Sequence, residues 1–170
     1  MHQSNAYAKL ADFGKTLLDK TSIIDGLPHI SKYAKEVVGA ERCSIFINDL
    51  EYGELWTTIS DGVNKIVLPS DTGIVGHTIA TKEPIIANDP YNHPNFFSHI
   101  DEETGFVTEN LASVPIFNSK RELIGVLELL NKYGGFCEED IKFMVFFAHY
   151  ISGFLELVSL YEHEKHRVSK

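Results

Sequence analysis

Few side chains in the sequence are of the types that perform catalysis, and their spacing does not bring them together. Cys43 and Cys137 lie far apart, and His77, His93 and His99 match no compact metal-ligand or haem-ligand spacing. The chain has no Gly-x-Ser-x-Gly, His-Glu-x-x-His or P-loop motif that would combine a nucleophile, a base and an orienting group. We therefore predict that the protein is not an enzyme, and that it has no catalytic residue, no metal site and no cofactor.

A second group of polar residues suits the binding of a small molecule rather than its conversion. Gly73 precedes a short helical pattern, and the free N–H groups at the start of a helix can hold a phosphate without Lys or Arg. Carboxylates can accept hydrogen bonds from a heterocyclic base and hydroxyls can donate or accept them, and such groups are present at Asp61, Glu128, Ser44, Thr104 and Thr108. Taken singly, Ser44 is better explained as a half-buried strand residue and Asp61, before Gly62, as a hairpin turn residue.

Glu128 is the most informative of these candidates because it lies between Leu127 and Leu129 in a strongly apolar strand. A carboxylate that faces an apolar core without a partner is costly. We expect Glu128 either to face a ligand or to pair with Arg121 or Lys132.

Length and charge limit the class of partner. The chain of 170 residues is long enough for one domain, and its apolar fraction of 44% is enough to form a core. A net charge of −9 argues against a broad surface for nucleic acid or anionic lipid. The longest apolar run, residues 143–155, is shorter than the roughly 20 residues that span a bilayer. With no signal-peptide core and no disulfide framework, the sequence predicts a cytoplasmic protein whose partner is a small molecule or another protein, not nucleic acid or membrane.

Hydrophobic periodicity predicts helices at both ends of the chain and a sheet between them. Helical spacing covers residues 7–18, 23–38, 73–81 and 138–161. Alternating patterns bounded by turn residues predict strands at 43–49, 54–60, 64–68, 112–117 and 123–130, with a brief extended piece at 84–87. The first three strands are connected so closely that they must be antiparallel neighbours. These elements predict an α+β fold with a central antiparallel sheet of five or six strands.

The ends of the chain carry weaker patterns. Residues 1–6 show no periodicity and are predicted to be a cloning remnant. Residues 7–162 form the predicted single domain, and the polar residues 163–170 are predicted to be a linker to an output domain outside this sequence.

Four segments together resemble a known family. They are Gly73-Ile74-Val75-Gly76-His77, residues 88–96, residues 101–110 with Thr104-Gly105-Phe106, and Pro115-Ile116-Phe117 with residues 124–132. The last segment leads into an Asn-Lys…Phe…Asp-Glu signature, here Asn131, Lys132, Phe136 and Asp140, with Ile141 in place of the final acid. This ordered combination resembles the GAF domain family over about residues 20–160, and specifically the GAF domains that bind ligands in cyclic nucleotide phosphodiesterases and cyanobacterial adenylyl cyclases.

The resemblance implies both a fold and a site. In those relatives the terminal helices lie on one face of the sheet, and short helices and loops cover a ligand pocket on the other. The implied ligand contacts are Ser44, Asp61, Ile74, Val75, Asp101, Thr104, Thr108 and Glu128, and the aromatic residues that could cover the base as a lid are Tyr91, Phe96 and Phe106. The signature residues are implied to be structural, with Lys132 paired to Asp140. Val107 and Glu109 depart from the phosphodiesterase pattern, in which basic residues are common.

The resemblance also implies a role. The domain would be a regulatory sensor of a bacterial signalling protein that binds cAMP or cGMP and relays occupancy through its terminal helices, which would join two copies in a homodimer. One alternative is a dimerisation and relay module whose pocket is empty or holds another metabolite. The other is a free methionine sulfoxide reductase of the same fold, which relies on a cluster of pocket cysteines, whereas this chain has none between residues 44 and 136.

Overall fold

Six strands form one sheet at the centre of the computed structural model, which describes residues 2–19, 23–58, 65–71, 73–96, 105 and 107–168. They are β1 (Ala40–Asp49), β2 (Glu54–Thr58), β3 (Lys65–Leu68), β4 (Ile85–Ala87), β5 (Leu111–Phe117) and β6 (Leu123–Lys132). Their order across the sheet is β3-β2-β1-β6-β5-β4, and every pair of neighbours is antiparallel. The predicted α+β class with an antiparallel sheet is therefore confirmed.

Three helices pack on one face of this sheet and build the main core. They are α1 (His2–Leu18), α2 (Ile23–Val38) and α4 (Glu138–Val168). Their apolar stripes meet the inward residues of β1, β5 and β6, as the period of each element requires. The fully buried members of this core include Ile30, Ile47, Trp56, Leu127, Leu129, Met144, Phe147 and Ile151.

The opposite face is covered by α3 (Gly73–Thr81) and by the segment that leads from β4 through a short 3-10 turn at Pro90–Asn92. Val75 packs there against Phe46 and Val126, and Ile74 packs against Leu111 in a neighbouring cluster. The sheet thus lies between a thick helical layer and a thinner layer centred on α3, which is the layering that the sequence predicts.

The helix bounds agree with prediction in the middle of the chain and differ at its ends. Both α2 and α3 coincide with the predicted ranges. By contrast, α1 begins at His2, inside the predicted remnant, and α4 continues to Val168, through most of the predicted polar linker. Residues 162–168 contain neither Gly nor Pro and include Glu, Lys and Arg, which favour a helix even without an apolar stripe. None of the helices in the described part of the chain is both long and apolar enough to cross a bilayer.

Candidate functional site

Three polar side chains lie in a row across the central strands, and we call Ser44, Glu128 and Ser113 the polar row. Ser44 of β1 and Ser113 of β5 are each directly opposite Glu128 of β6. Directly opposed residues share one face of a sheet. This face is the one that α3 covers, because Ser113 Oγ lies 2.8 Å from Thr78 Oγ1 of that helix. The structure therefore places two predicted ligand contacts, Ser44 and Glu128, side by side beneath α3, and adds Ser113, which sequence reasoning missed.

The first turn of α3 is held above the polar row by hydrogen bonds. Thr78 and Ser113 are both fully buried, and Thr78 Oγ1 also donates to the Ile74 carbonyl oxygen at 2.9 Å. The predicted contacts Ile74 and Val75 are buried in apolar clusters. Their side chains therefore pack on the sheet, and the groups that they can offer to a ligand are backbone N–H groups.

Outside α3 an open cavity of about 570 Å³ is lined by residues that include Asp71, Gly76, His77, Asn95 and Phe96. Gly76 permits the preceding loop to approach the helix, since a Cβ there would lie 2.5 Å from the Asp71 carbonyl carbon. This cavity is on the outer surface of α3, whereas the polar row is on its inner side.

The remaining predicted site residues fall into two groups. Asp61, Asp101, Thr104 and Phe106 lie outside the described residues. Of the others, Thr108 is 1% exposed just before β5, and Phe96 packs against the cluster of Ile74, Ala87 and Leu111. The Tyr91 ring meets the Phe96 ring edge to face, with 5.1 Å between ring centroids. The described part of the site is therefore a polar floor, a helix above it and an aromatic pair at one side.

Asn131 fastens the segment that enters β5. Its backbone adopts a positive φ of 60°, which asparagine tolerates better than most residues. Its Oδ1 accepts from the Glu109 N–H at 2.7 Å, and its Nδ2 donates to the Val107 carbonyl at 2.8 Å. The first signature residue thus holds the stem of the segment that carries Thr108.

Two asparagines that sequence reasoning missed complete this attachment. Asn110 exchanges hydrogen bonds with the backbone of Lys132, donating to its carbonyl at 3.0 Å and accepting from its N–H at 2.8 Å. Asn88 is at the other end of the segment 88–110. It donates to the Phe136 carbonyl at 3.2 Å and accepts from the Phe136 N–H at 3.0 Å. Both stems of the segment 88–110 are therefore bonded to the connection between β6 and α4. Each asparagine borders a strand and lies within a segment that carries the family resemblance.

Lys132 pairs with Asp140, as the resemblance implies. The Lys132 Nζ lies 2.6 Å from Asp140 Oδ1, and the Cys137 N–H donates to Asp140 Oδ2 at 2.9 Å. Burial alone would raise the pKa of the Asp140 carboxyl, but the hydrogen bonds from Lys132 and Cys137 outweigh it and hold that pKa below its ordinary value. Asp140 therefore accepts the N–H of the N-cap residue Cys137 and fixes β6 to the start of α4.

The two cysteines differ sharply in environment. Cys43 packs against the core on the helical face of the sheet, and burial raises the pKa of its thiol to about 12. Cys137 is exposed at the start of α4. Neither lies on the face that carries the polar row.

We expect one thiol of the native protein to react rapidly with a disulfide reagent at pH 8, because the thiolate is the nucleophile and Cys43 forms almost none. Titration with and without denaturant, compared with a Cys137→Ser variant, measures this. Rapid reaction of the native C137S protein would contradict the assignment of Cys43 as a buried, inert thiol.

Two of the three histidines that the sequence singles out approach each other. The His77 and His93 rings are edge to face with 6.4 Å between centroids, and His99 lies outside the described residues. Within the described residues, no group of three His, Cys, Asp or Glu side chains is arranged to hold a metal ion.

Comparison with known proteins provides independent evidence for the family of this chain. The model of the family described as GAF domain matches residues 23–155. Among solved structures, the GAF domain of a phosphoenolpyruvate-protein phosphotransferase from Coxiella burnetii superposes with a TM-score of 0.76 at 22% identity, covering 91% of this chain and 94% of that one. The corresponding domain from Acinetobacter has a TM-score of 0.75 at 18% identity, with 92% and 96% coverage. A free methionine-R-sulfoxide reductase from Neisseria meningitidis, in complex with its substrate, has a TM-score of 0.67 at 19% identity, with 86% of each chain covered.

Proposed function

The chain belongs to the GAF domain family, and from that premise we propose that it is a regulatory sensor domain that binds a purine cyclic nucleotide on the α3 side of its sheet. The observation that carries the proposal is the polar row. The half-buried Glu128 carboxylate and the Ser44 hydroxyl beside it provide hydrogen-bond partners for the edge of a purine base, while Ser113 is bonded to Thr78 of α3.

The start of α3 supplies the second requirement of such a ligand. The backbone N–H groups of Gly73, Ile74 and Val75 are at the N-terminus of a helix, where an anion is favoured by free donors and by the helix dipole. Thr78 and Ser113 fix this turn relative to the polar row. In an acidic protein of net charge −9, these neutral donors can hold a singly charged cyclic phosphate without a basic side chain.

The proposed signal passes from the covering segment to α4. Asn88 and Asn131 hold the two stems of that segment, and Asn110 and Lys132 continue the contacts to Asp140 in the first turn of α4. A displacement of either stem on ligand binding would therefore act on the start of α4, the longest of the described helices.

Calorimetric titration of the purified chain with cAMP and with cGMP tests the proposal directly. We expect a saturable heat of binding for at least one of the two cyclic nucleotides. Adenosine and inorganic phosphate are the controls for the nucleoside and the phosphate parts of the ligand. Absence of heat and of a thermal shift at millimolar concentration of either cyclic nucleotide would contradict it and favour the relay alternative.

A specific observation supports dimerisation as a second proposed role. Along α4 the side chains of Phe146, Tyr150, Leu157 and Leu160 are exposed, and with Gly153 they repeat at alternating intervals of four and three residues. This spacing is the seam of a coiled coil. We propose that a second copy of the chain covers it, which is also where a signal could pass between two output domains.

Replacing Leu157 with Glu is expected to convert such a dimer to monomers. Two leucines per dimer lose about 3 kcal/mol or more of apolar burial, which raises the dissociation constant about a hundredfold. Light scattering over a dilution series measures the change, and Val67→Glu, at an equally exposed apolar residue on β3, is the matched control. A wild-type chain that stays monomeric at millimolar concentration would contradict the dimer proposal and would leave the ligand proposal unaffected.

A further inference from the structure

The last turns of α4 extend past the core and meet the turn between β1 and β2. Among the described side chains of α4, the last fully buried one is Leu155, and Leu157 and Leu160 are exposed. Beyond them His163 contacts two carboxylates, that of Asp49 at the end of β1 and that of Glu51 in the turn. We propose that His163 is a proton-dependent latch that fastens the C-terminal end of α4 to the β1–β2 turn.

Both ring nitrogens of His163 face a carboxylate oxygen. Nε2 lies 2.7 Å from Asp49 Oδ2, and Nδ1 lies 2.7 Å from Glu51 Oε2. The His163 side chain is 12% exposed, the Asp49 side chain 2% and the Glu51 side chain 52%. The Tyr52 ring covers the imidazole edge to face, with 4.9 Å between centroids. One contact is therefore nearly excluded from water, and the other is at the surface.

This geometry is satisfied by only one protonation state of the ring. A neutral imidazole has one N–H, so it can donate to one carboxylate while its other nitrogen presents a lone pair to the second. The imidazolium donates to both, and histidine changes charge within the physiological pH range. The full set of contacts therefore requires the protonated ring, and one contact becomes repulsive when the ring loses its proton.

Among the described side chains, the charged and titratable groups at the latch come from β1, from the turn and from α4. Asp49 belongs to β1, and Glu51 and Tyr52 belong to the turn. On α4 itself, Arg167 Nη2 lies 3.9 Å from Glu51 Oε1. Arg167 keeps its charge, but this weaker contact is at an exposed pair of side chains and holds the helix less firmly.

The turn provides a fixed anchor, so release acts on the helix. Asp49 Oδ1 accepts from the Glu51 N–H and the Tyr52 N–H, both at 3.0 Å. These bonds do not depend on His163, and they keep the Asp49 carboxylate in place whether or not the ring is charged. Loss of the latch therefore loosens residues 156–168 and leaves the sheet unchanged.

Amide hydrogen exchange measured by mass spectrometry at pH 5.5 and 8.5 tests the latch, with rates corrected for the intrinsic effect of pH. We expect protection of peptides covering residues 156–168 to fall about tenfold between the two values, while peptides covering residues 144–155 stay protected. Three variants give the comparison. His163→Gln should be poorly protected at both pH values, and His149→Gln, at an exposed histidine of the same helix, should behave as wild type.

Glu51→Gln separates a latch from a merely structural contact. A glutamine amide can accept from an N–H or donate to a lone pair, so the E51Q variant should retain protection at pH 8.5 and lose the pH dependence. Equal protection of residues 156–168 at both pH values in the wild type would overturn the proposal. So would a pH dependence of the wild-type size in H163Q, which still contains His166, or in E51Q.

Discussion

Replacing Asp140 with alanine is expected to lower the free energy of unfolding by about 3 kcal/mol. The change removes the partner of the Lys132 ammonium, whose side chain is only 25% exposed, and the acceptor of the Cys137 N–H at the start of α4. An unpaired, partly buried cation and an unsatisfied N-cap donor are each unfavourable. Urea unfolding measures the loss, with fluorescence of Trp56, the single tryptophan and a fully buried one, as the signal.

Glu139→Ala is the matched control, because Glu139 is in the same helical turn and also forms an ion pair. Its contact with Lys142 spans 3.2 Å between side chains that are 81% and 72% exposed, so its removal should change the unfolding free energy by less than about 0.5 kcal/mol. Equal effects of D140A and E139A would contradict the structural role of the signature.

Lowering the pH should reduce the difference in unfolding free energy between the wild type and D140A. The pKa of Asp140 is lowered in the folded state, so its contribution is complete above the unfolded-state value of about 3.9 and is lost as the pH falls through the lower folded-state pKa. A difference that remains constant down to pH 2 would show that the carboxylate charge is not what stabilises the connection.

The elements that the sequence predicts well are those whose local pattern and end signals agree. For α2, helical spacing ends at Gly39, and for α3 the glycine at position 73 marks the start. The strand ends were predicted less well. β1 begins at Ala40, where exposed polar residues follow, because Ala40 pairs with Lys132 across the sheet. Pairing between residues so distant in sequence leaves no local periodicity to detect.

The candidate site, like the fold, was predicted only in part. Ser44 and Glu128 were predicted through a resemblance, and their alignment in one row required only the register of β1 with β6. Ser113 was missed because it lies in a run of apolar residues that is typical of a core strand. Its role depends on Thr78, which is contributed by a different element, so no single segment of the sequence contains the signal.

Glu128→Ala is expected to weaken binding of the cyclic nucleotide by ten- to a hundredfold while leaving the fold intact. A hydrogen bond to a charged group contributes about 1.5–3 kcal/mol, which corresponds to that range. The unfolding free energy of E128A is measured as well, because the half-buried Glu128 also interacts with other groups of the domain. Calorimetry and urea unfolding of the same preparation measure the two quantities.

A loss of affinity in a variant that is still fully folded distinguishes a ligand-binding residue from a structural one. If Glu128 served only the fold, its removal would lower stability and affinity together. If it served only solubility, its removal would change neither the stability nor the affinity. Glu122→Ala removes the same charge at the exposed turn before β6 and should leave the affinity within about twofold of wild type, since a surface charge at a distance is screened. Affinity that falls equally in E122A and E128A would therefore assign the effect to the overall charge of the domain. An E128A variant that binds as wild type does would place the ligand away from the polar row.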